Sequence, residues 1–164
     1  MARVLGIDPG SRVTGFGVID TDGRKSRHVE SGVVRTGSGE FPERLGEIFR
    51  GIREVIEQHA PTQVAIEQVF VSRNPASALK LGQARGAAIA AAVTRDLPVF
   101  EYTPRSVKQA LVGTGAADKE QVQHMVRILL SLPGKMGLDE SDALAIALCH
   151  AHTHATLDKL GVQP

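Results

Sequence analysis

The alternation of apolar and polar residues changes period at a few places along the chain, and each change marks an element. Val4-Leu5-Gly6-Ile7 is a short apolar run that ends on a charge at Asp8, and Asp8-Pro9-Gly10-Ser11 is a turn signal. The glycine-rich stretch Val13 to Ile19 predicts a second strand, Thr21-Asp22-Gly23 the next turn, and residues 27–36 a third strand. Three sequential strands on short turns predict an antiparallel meander. From Phe41 to Glu57 the period becomes helical: Phe41, Leu45, Ile48, Ile52, Val55 and Ile56 fall on one face, and Pro61 follows the end. Residues 63–67 predict a fourth strand, Val64-Ala65-Ile66 ending on Glu67.

Asn74-Pro75 is a helix start, with asparagine as cap and proline in the first turn. The helix to about Arg95 is small-sided (Ala84, Gly86, Ala87, Ala88, Ala90 to Ala92), which predicts close packing against a partner subunit as well as its own core. Leu97 to Tyr102 is a fifth strand. Thr103-Pro104 repeats the cap-plus-proline pattern and opens a short helix ending near Gly113. Asp118 caps a helix striped by Val122, Met125, Val126 and Leu129, which Leu132-Pro133-Gly134 closes. A last helix is predicted from about Asp139 to Thr156. This order indicates an α/β fold, a mixed sheet covered by helices.

Composition narrows the picture without changing it. At 164 residues with 42% hydrophobic and 23% charged, one domain is expected over 1–157, with 158–164 as a frayed tail. The net charge of +1 excludes a uniformly basic protein but not a local basic face. The single cysteine, Cys149, sits in an apolar stretch and is expected to be buried. No signal peptide and no membrane-spanning run is visible, so a cytoplasmic protein is expected.

The candidate chemistry lies in Asp8, Glu67, Asp139 and Asp142. Each has a bland explanation: a turn residue, a polar strand end, and an N-cap with an acid three positions on. Together they read differently. Two strand-end carboxylates, neighbours if the first and fourth strands pair, and two acids on one helical face build an all-oxygen site for hard divalent cations. Such a site suits phosphodiester hydrolysis.

Positive residues Arg73, Lys80, Arg85, Arg105, Lys108 and Lys119 follow on loops and helix starts, where phosphates are readily held. For Lys80 or Arg85 alone a solvated helix face is the simpler explanation. Phe70, just past a strand end in a chain that is 4% aromatic, is placed to stack on or wedge between bases; a core role is the alternative. The glycine segments match neither a Walker A loop nor a dinucleotide fingerprint. His150 and His154 share a helical face, but nothing completes a zinc site.

These residues carry a resemblance. Gly6-Ile7-Asp8-Pro9-Gly10-Ser11, Ala65-Ile66-Glu67-Gln68-Val69-Phe70, Ser77 to Gly86, Val107-Lys108-Gln109, Gln123 to Arg127 and Asp142 to Ala147 resemble the RuvC family of bacterial Holliday-junction resolvases over nearly the whole chain. The resemblance implies a ribonuclease-H-like five-stranded sheet with helices on both faces and a homodimer. It also implies Mg²⁺-dependent nicking of two opposed strands, two ions per site with Mn²⁺ as substitute, and the RuvA-RuvB branch-migration complex as partner. It puts the catalytic carboxylates at Asp8, Glu67, Asp139 and Asp142, the stacking aromatic at Phe70 and functional lysines at Lys108 and Lys119. The rivals are a ribonuclease-H-like nuclease of ribosomal RNA precursors, which shares the opening Gly-Ile-Asp-Pro-Gly, half of an actin-like ATPase, and a catalytically dead junction-binding subunit.

Overall fold

The strand at Ala2–Asp8 (β1) is buried on both faces through Val4 to Ile7, as its unbroken apolar run requires. A computed structural model describes residues 1–70 and 74–161, so Arg73 lies outside the described residues. In it β1 is the middle of a five-stranded sheet ordered β3-β2-β1-β4-β5. Its companions are β2 (Val13–Thr21), β3 (Ser26–Arg35), β4 (Gln63–Glu67) and β5 (Val99–Tyr102). The first three form the expected antiparallel meander, while β4 pairs parallel to β1 and β5 parallel to β4. Arg3 and Asp20 face each other across the β1–β2 ladder, and the guanidinium grips the carboxylate at 2.8 and 3.0 Å.

Five helices complete the described fold: α1 (Phe41–His59), α2 (Pro75–Val93), α3 (Pro104–Val112), α4 (Lys119–Leu129) and α5 (Leu138–Leu160). Asn74 caps α2, Thr103 caps α3, and Asp118 with Gln121 forms a capping box on α4. The helix α5 runs a turn beyond the Thr156 end expected from the sequence. Its later residues still carry apolar positions such as Leu157 and Leu160 and meet no proline.

Two cores lie on the two faces of the sheet. Ile48, Ile52, Val55 and Ile56 of α1, with Ala84, Ala88, Ala91 and Ala92 of α2, cover Leu5, Ile7, Val64 and Ile66. The apolar stripe of α1 is thus its buried face, and truncating Ile52 to alanine would cost about 2–5 kcal/mol. On the opposite face α3, α4 and α5 cover Val4, Ile19 and Ala65. No helix of the described residues is long and apolar enough to cross a membrane.

Candidate active site

Side chains alternate between faces along a strand, so Asp8 shares the face of Val4 and Gly6, and Glu67 that of Ala65. Both are on the side covered by α5. The parallel register pairs Gly6 with Ala65 and Ile7 with Ile66, so the next step brings Asp8 beside Glu67 at the carboxyl ends of both strands. On the other flank Asp8 is paired with Gly15, and Gly6 with Gly17.

Those glycines explain how the helical acids arrive. A Cβ on Gly6 would collide with the carbonyl oxygen of Ala143, and one on Gly15 with that of Asp139. The row Gly17-Gly6-Ala65 therefore forms a floor on which α5 lies close to the sheet. Gly15 leaves room for the first turn of α5 above Asp8. Asp139 and Asp142, on that first turn and the next, face the strand-end carboxylates.

The electrostatics record this crowding. Burial, then the negative charges of Asp142, Glu67 and Asp139, push the Asp8 carboxyl up to about 7, with Lys119 offsetting part of the effect. Burial and Asp142 raise Glu67, opposed by Lys119 and Lys108. Asp142 is raised by burial although Lys119 pulls it down, its Nζ lying 3.1 Å from the carboxylate. Glu67, Lys108, Lys119 and Asp142 line one cleft of about 240 Å³, floored by Val107, Val122 and Ala145. Among the described residues, no three acidic, histidine or cysteine side chains stand close enough together, as they are placed, to hold one metal ion. The donor set itself, a cluster of carboxylate oxygens, fits a hard divalent cation.

The other expected site residues divide. Lys108 and Lys119 join the acids. Phe70 is 61% exposed, which removes the core alternative, and it lines a shallow groove with Pro75, Leu79 and Arg85. Lys80 is exposed on α2 with its ammonium 5.8 Å from the Phe41 ring centre. Arg105 is exposed and lies against Gly115. Arg85 does not present a free guanidinium to solvent: its Nε donates to the Glu67 carbonyl oxygen at 3.0 Å, and it pairs with Glu101.

Two features escape sequence reasoning. Glu101 is paired with Ile66 and so shares the α2 face; only the strand register reveals that it meets Arg85. Ser31 on β3 donates to Glu140 at 2.9 Å, bracing the start of α5. His150, by contrast, is fully buried, its ring nitrogens bonded to Tyr102 at 2.6 Å and Gln63 at 2.8 Å. Both of its ligating positions are taken by protein groups, so the zinc alternative loses its first histidine. Cys149 is buried, and burial raises its thiol to about 11, as an inert core residue.

Comparison with known proteins follows the same lines. The model of the family described as "Crossover junction endodeoxyribonuclease RuvC" matches residues 4–150. A protein of that name from Photobacterium profundum is 60% identical over 96% of this chain and 91% of its own length. One from Acinetobacter baumannii is 57% identical over 99% and 90%. The solved structure of T. thermophilus RuvC in complex with Holliday junction substrate superposes with a TM-score of 0.90 at 40% identity, covering 95% of this chain and 96% of that one.

Proposed function

The chain belongs to the RuvC family of crossover junction endodeoxyribonucleases, and from that premise we propose that the acidic cleft beside β1 and β4 is where it cuts DNA. It is an endonuclease that resolves Holliday junctions in recombination and repair. Neither the ribosomal-RNA nuclease nor the actin-like ATPase is favoured by its relatives. The observation that carries the site assignment is the row in which Asp8 and Glu67 stand side by side on one face, beneath the first turns of α5.

Nucleases of this family are metal-dependent. Asp8, Glu67, Asp139 and Asp142 would hold the cation, in our reading Mg²⁺, two per site with Mn²⁺ as substitute. When bound it supplies the charge that activates water and stabilises the leaving 3′ oxygen. The residues do the rest. Lys108 and Lys119 line the same cleft, where their ammonium groups offset charge gathering on the phosphate as the bond breaks. The cleft floor of Val107, Val122 and Ala145 shields one side of the reacting group from water. The products carry 5′-phosphate and 3′-hydroxyl ends, so a ligase can seal them.

Phe70 projects from the strand end that carries Glu67, three residues beyond it, a position suited to stacking on a base in an opened junction. Lys80 and Arg105 are exposed on helices flanking these elements and serve as backbone contacts; Arg73 is assigned the same role on its sequence position alone. The nuclease unit is placed at residues 1–157, with the last turn of α5 continuing past it to Leu160. Two copies acting as a homodimer would give each of two opposed strands its own cleft and so paired, symmetric nicks. Exposed Leu79 and Val93 on the small-sided α2 support that helix as the dimer face. The RuvA-RuvB complex is the partner expected on the junction, and the cytoplasm the compartment, since the substrate is bacterial DNA.

The test is Asp8→Asn. Cleavage of a four-way junction should be abolished, while binding in Ca²⁺, measured by gel shift, stays within about two-fold. Loss of binding together with cleavage would make Asp8 a structural residue instead.

A further inference from the structure

Arg85 was expected either on a solvated helix face or against phosphates, yet its side chain is only 17% exposed and points at the protein. It reaches the sheet from α2, on the face opposite the acidic cleft. Its Nε donates to the carbonyl oxygen of Glu67 at 3.0 Å, at the point where β4 ends. Its terminal nitrogen pairs with Glu101, which the register places one step back on β5, opposite Ile66. On the other side of the same strand end, the amide of Gln68 donates to the Tyr102 carbonyl at 2.8 Å. The last backbone turn of Glu67 is therefore held by β5 through a main-chain bond and by α2 through a charged side chain. Arg85 also lines the groove of about 340 Å³ that contains Phe70 and Leu79.

We propose that Arg85 is a positioning residue for the reaction: anchored by Glu101, it fixes the backbone of Glu67 from behind the sheet and ties that carboxylate to the groove around Phe70. A strand-end carbonyl accepting a charge-assisted hydrogen bond is held more tightly than one facing water. Glu67 carries its carboxylate on the opposite face, so a small rotation of its peptide swings the oxygens away from Asp8. Groups that orient a ligating side chain in this manner typically contribute 10- to 100-fold to metal affinity or rate. A lysine cannot replace Arg85 fully, because a single ammonium cannot span both acceptors in the geometry of the planar fork.

The inference rests on the assignment of Glu67 to the catalytic site, and Glu67→Gln controls for that. Arg85→Gln, Arg85→Lys and Glu101→Gln would be compared with the parent in three measurements. These are junction affinity in Ca²⁺, the single-turnover cleavage rate at saturating enzyme across a Mg²⁺ titration, and Ca²⁺ binding to the DNA-free protein by calorimetry. Arg85→Gln should lower the saturated rate by about 10- to 100-fold and weaken Ca²⁺ binding, with junction affinity within about two-fold. Arg85→Lys should recover part of the rate, and the half-exposed Glu101→Gln should shift rate and Ca²⁺ affinity in the same direction by less. Weakened junction binding with an unchanged saturated rate would overturn the proposal in favour of a phosphate contact. So would an unchanged rate and Ca²⁺ affinity in Glu101→Gln, a variant that tests the clamp even if Arg85→Gln fails to fold. If Glu67→Gln itself cleaves normally, the site assignment fails; if it is inactive while the Arg85 variants behave as the parent, only the positioning role fails.

Discussion

Asp8 shows what the site costs the fold. Its carboxyl is pushed up to about 7 by burial and by three neighbouring acids. Between its ordinary value and about 7 the folded protein binds more protons than the unfolded chain, so this group's contribution to stability falls as pH rises through that window and stays low above it. Asp8→Asn removes the charge and should stabilise the protein at pH 8 in the presence of a chelator, by on the order of 1–3 kcal/mol after solvent screening. The gain should shrink towards pH 4. Urea unfolding at the two pH values checks this, and an equal effect at both would show that the carboxyl is not strained. The same residue was legible in the sequence, because a charge ending an apolar run is a local feature. Glu67 was legible for the same reason. The inward turn of Arg85 was not, since it depends on which face α2 covers and on the register of β4 with β5.

At the scale of elements, the site is made by the fit of α5 on the sheet. Gly15 faces Asp8 across the β1–β2 ladder, and the carbonyl of Asp139 occupies the space a side chain would need. Gly15→Ala should therefore lift the start of α5, costing about 1–3 kcal/mol as an overpacked contact and lowering cleavage beyond what the lost stability explains. Calorimetric melting and cleavage at a temperature well below the transition separate the two effects; full activity would mean that α5 does not need this approach. The sequence showed these glycines as a strand of low bulk, but not their purpose, because a contact between residues 15 and 139 leaves no periodic trace. The strands, the caps of α2, α3 and α4 and the apolar stripe of α1 were all readable from local pattern. The far end of α5 was not, since apolar residues there continue without a stop signal.

The whole molecule is a sheet with a core on each face, the four carboxylates lying under α5 and the Phe70 groove against α2 on the opposite side. Away from the cleft, His150 joins α5 to β4 and β5 through Gln63 and Tyr102. Burial, with a contribution from His154, pushes its imidazole down to about 4. In the unfolded chain the ring takes a proton near its ordinary value, so below about 6.5 the unfolded state binds more protons and stability is lost as pH falls towards 4. Imidazole resonances followed by NMR should show His150 still neutral at pH 5; titration near 6.5 would mean that the ring is open to water.

The most direct measurement is cleavage of an immobile four-way DNA junction, beside a linear duplex and a structured RNA, in Mg²⁺ and in Ca²⁺. Paired, symmetric, ligatable nicks in the junction alone, in Mg²⁺ only and lost in Asp8→Asn, Glu67→Gln and Asp142→Asn, are the expected result. An intact junction beside cleaved RNA, or junction cleavage that survives loss of those carboxylates, would contradict it.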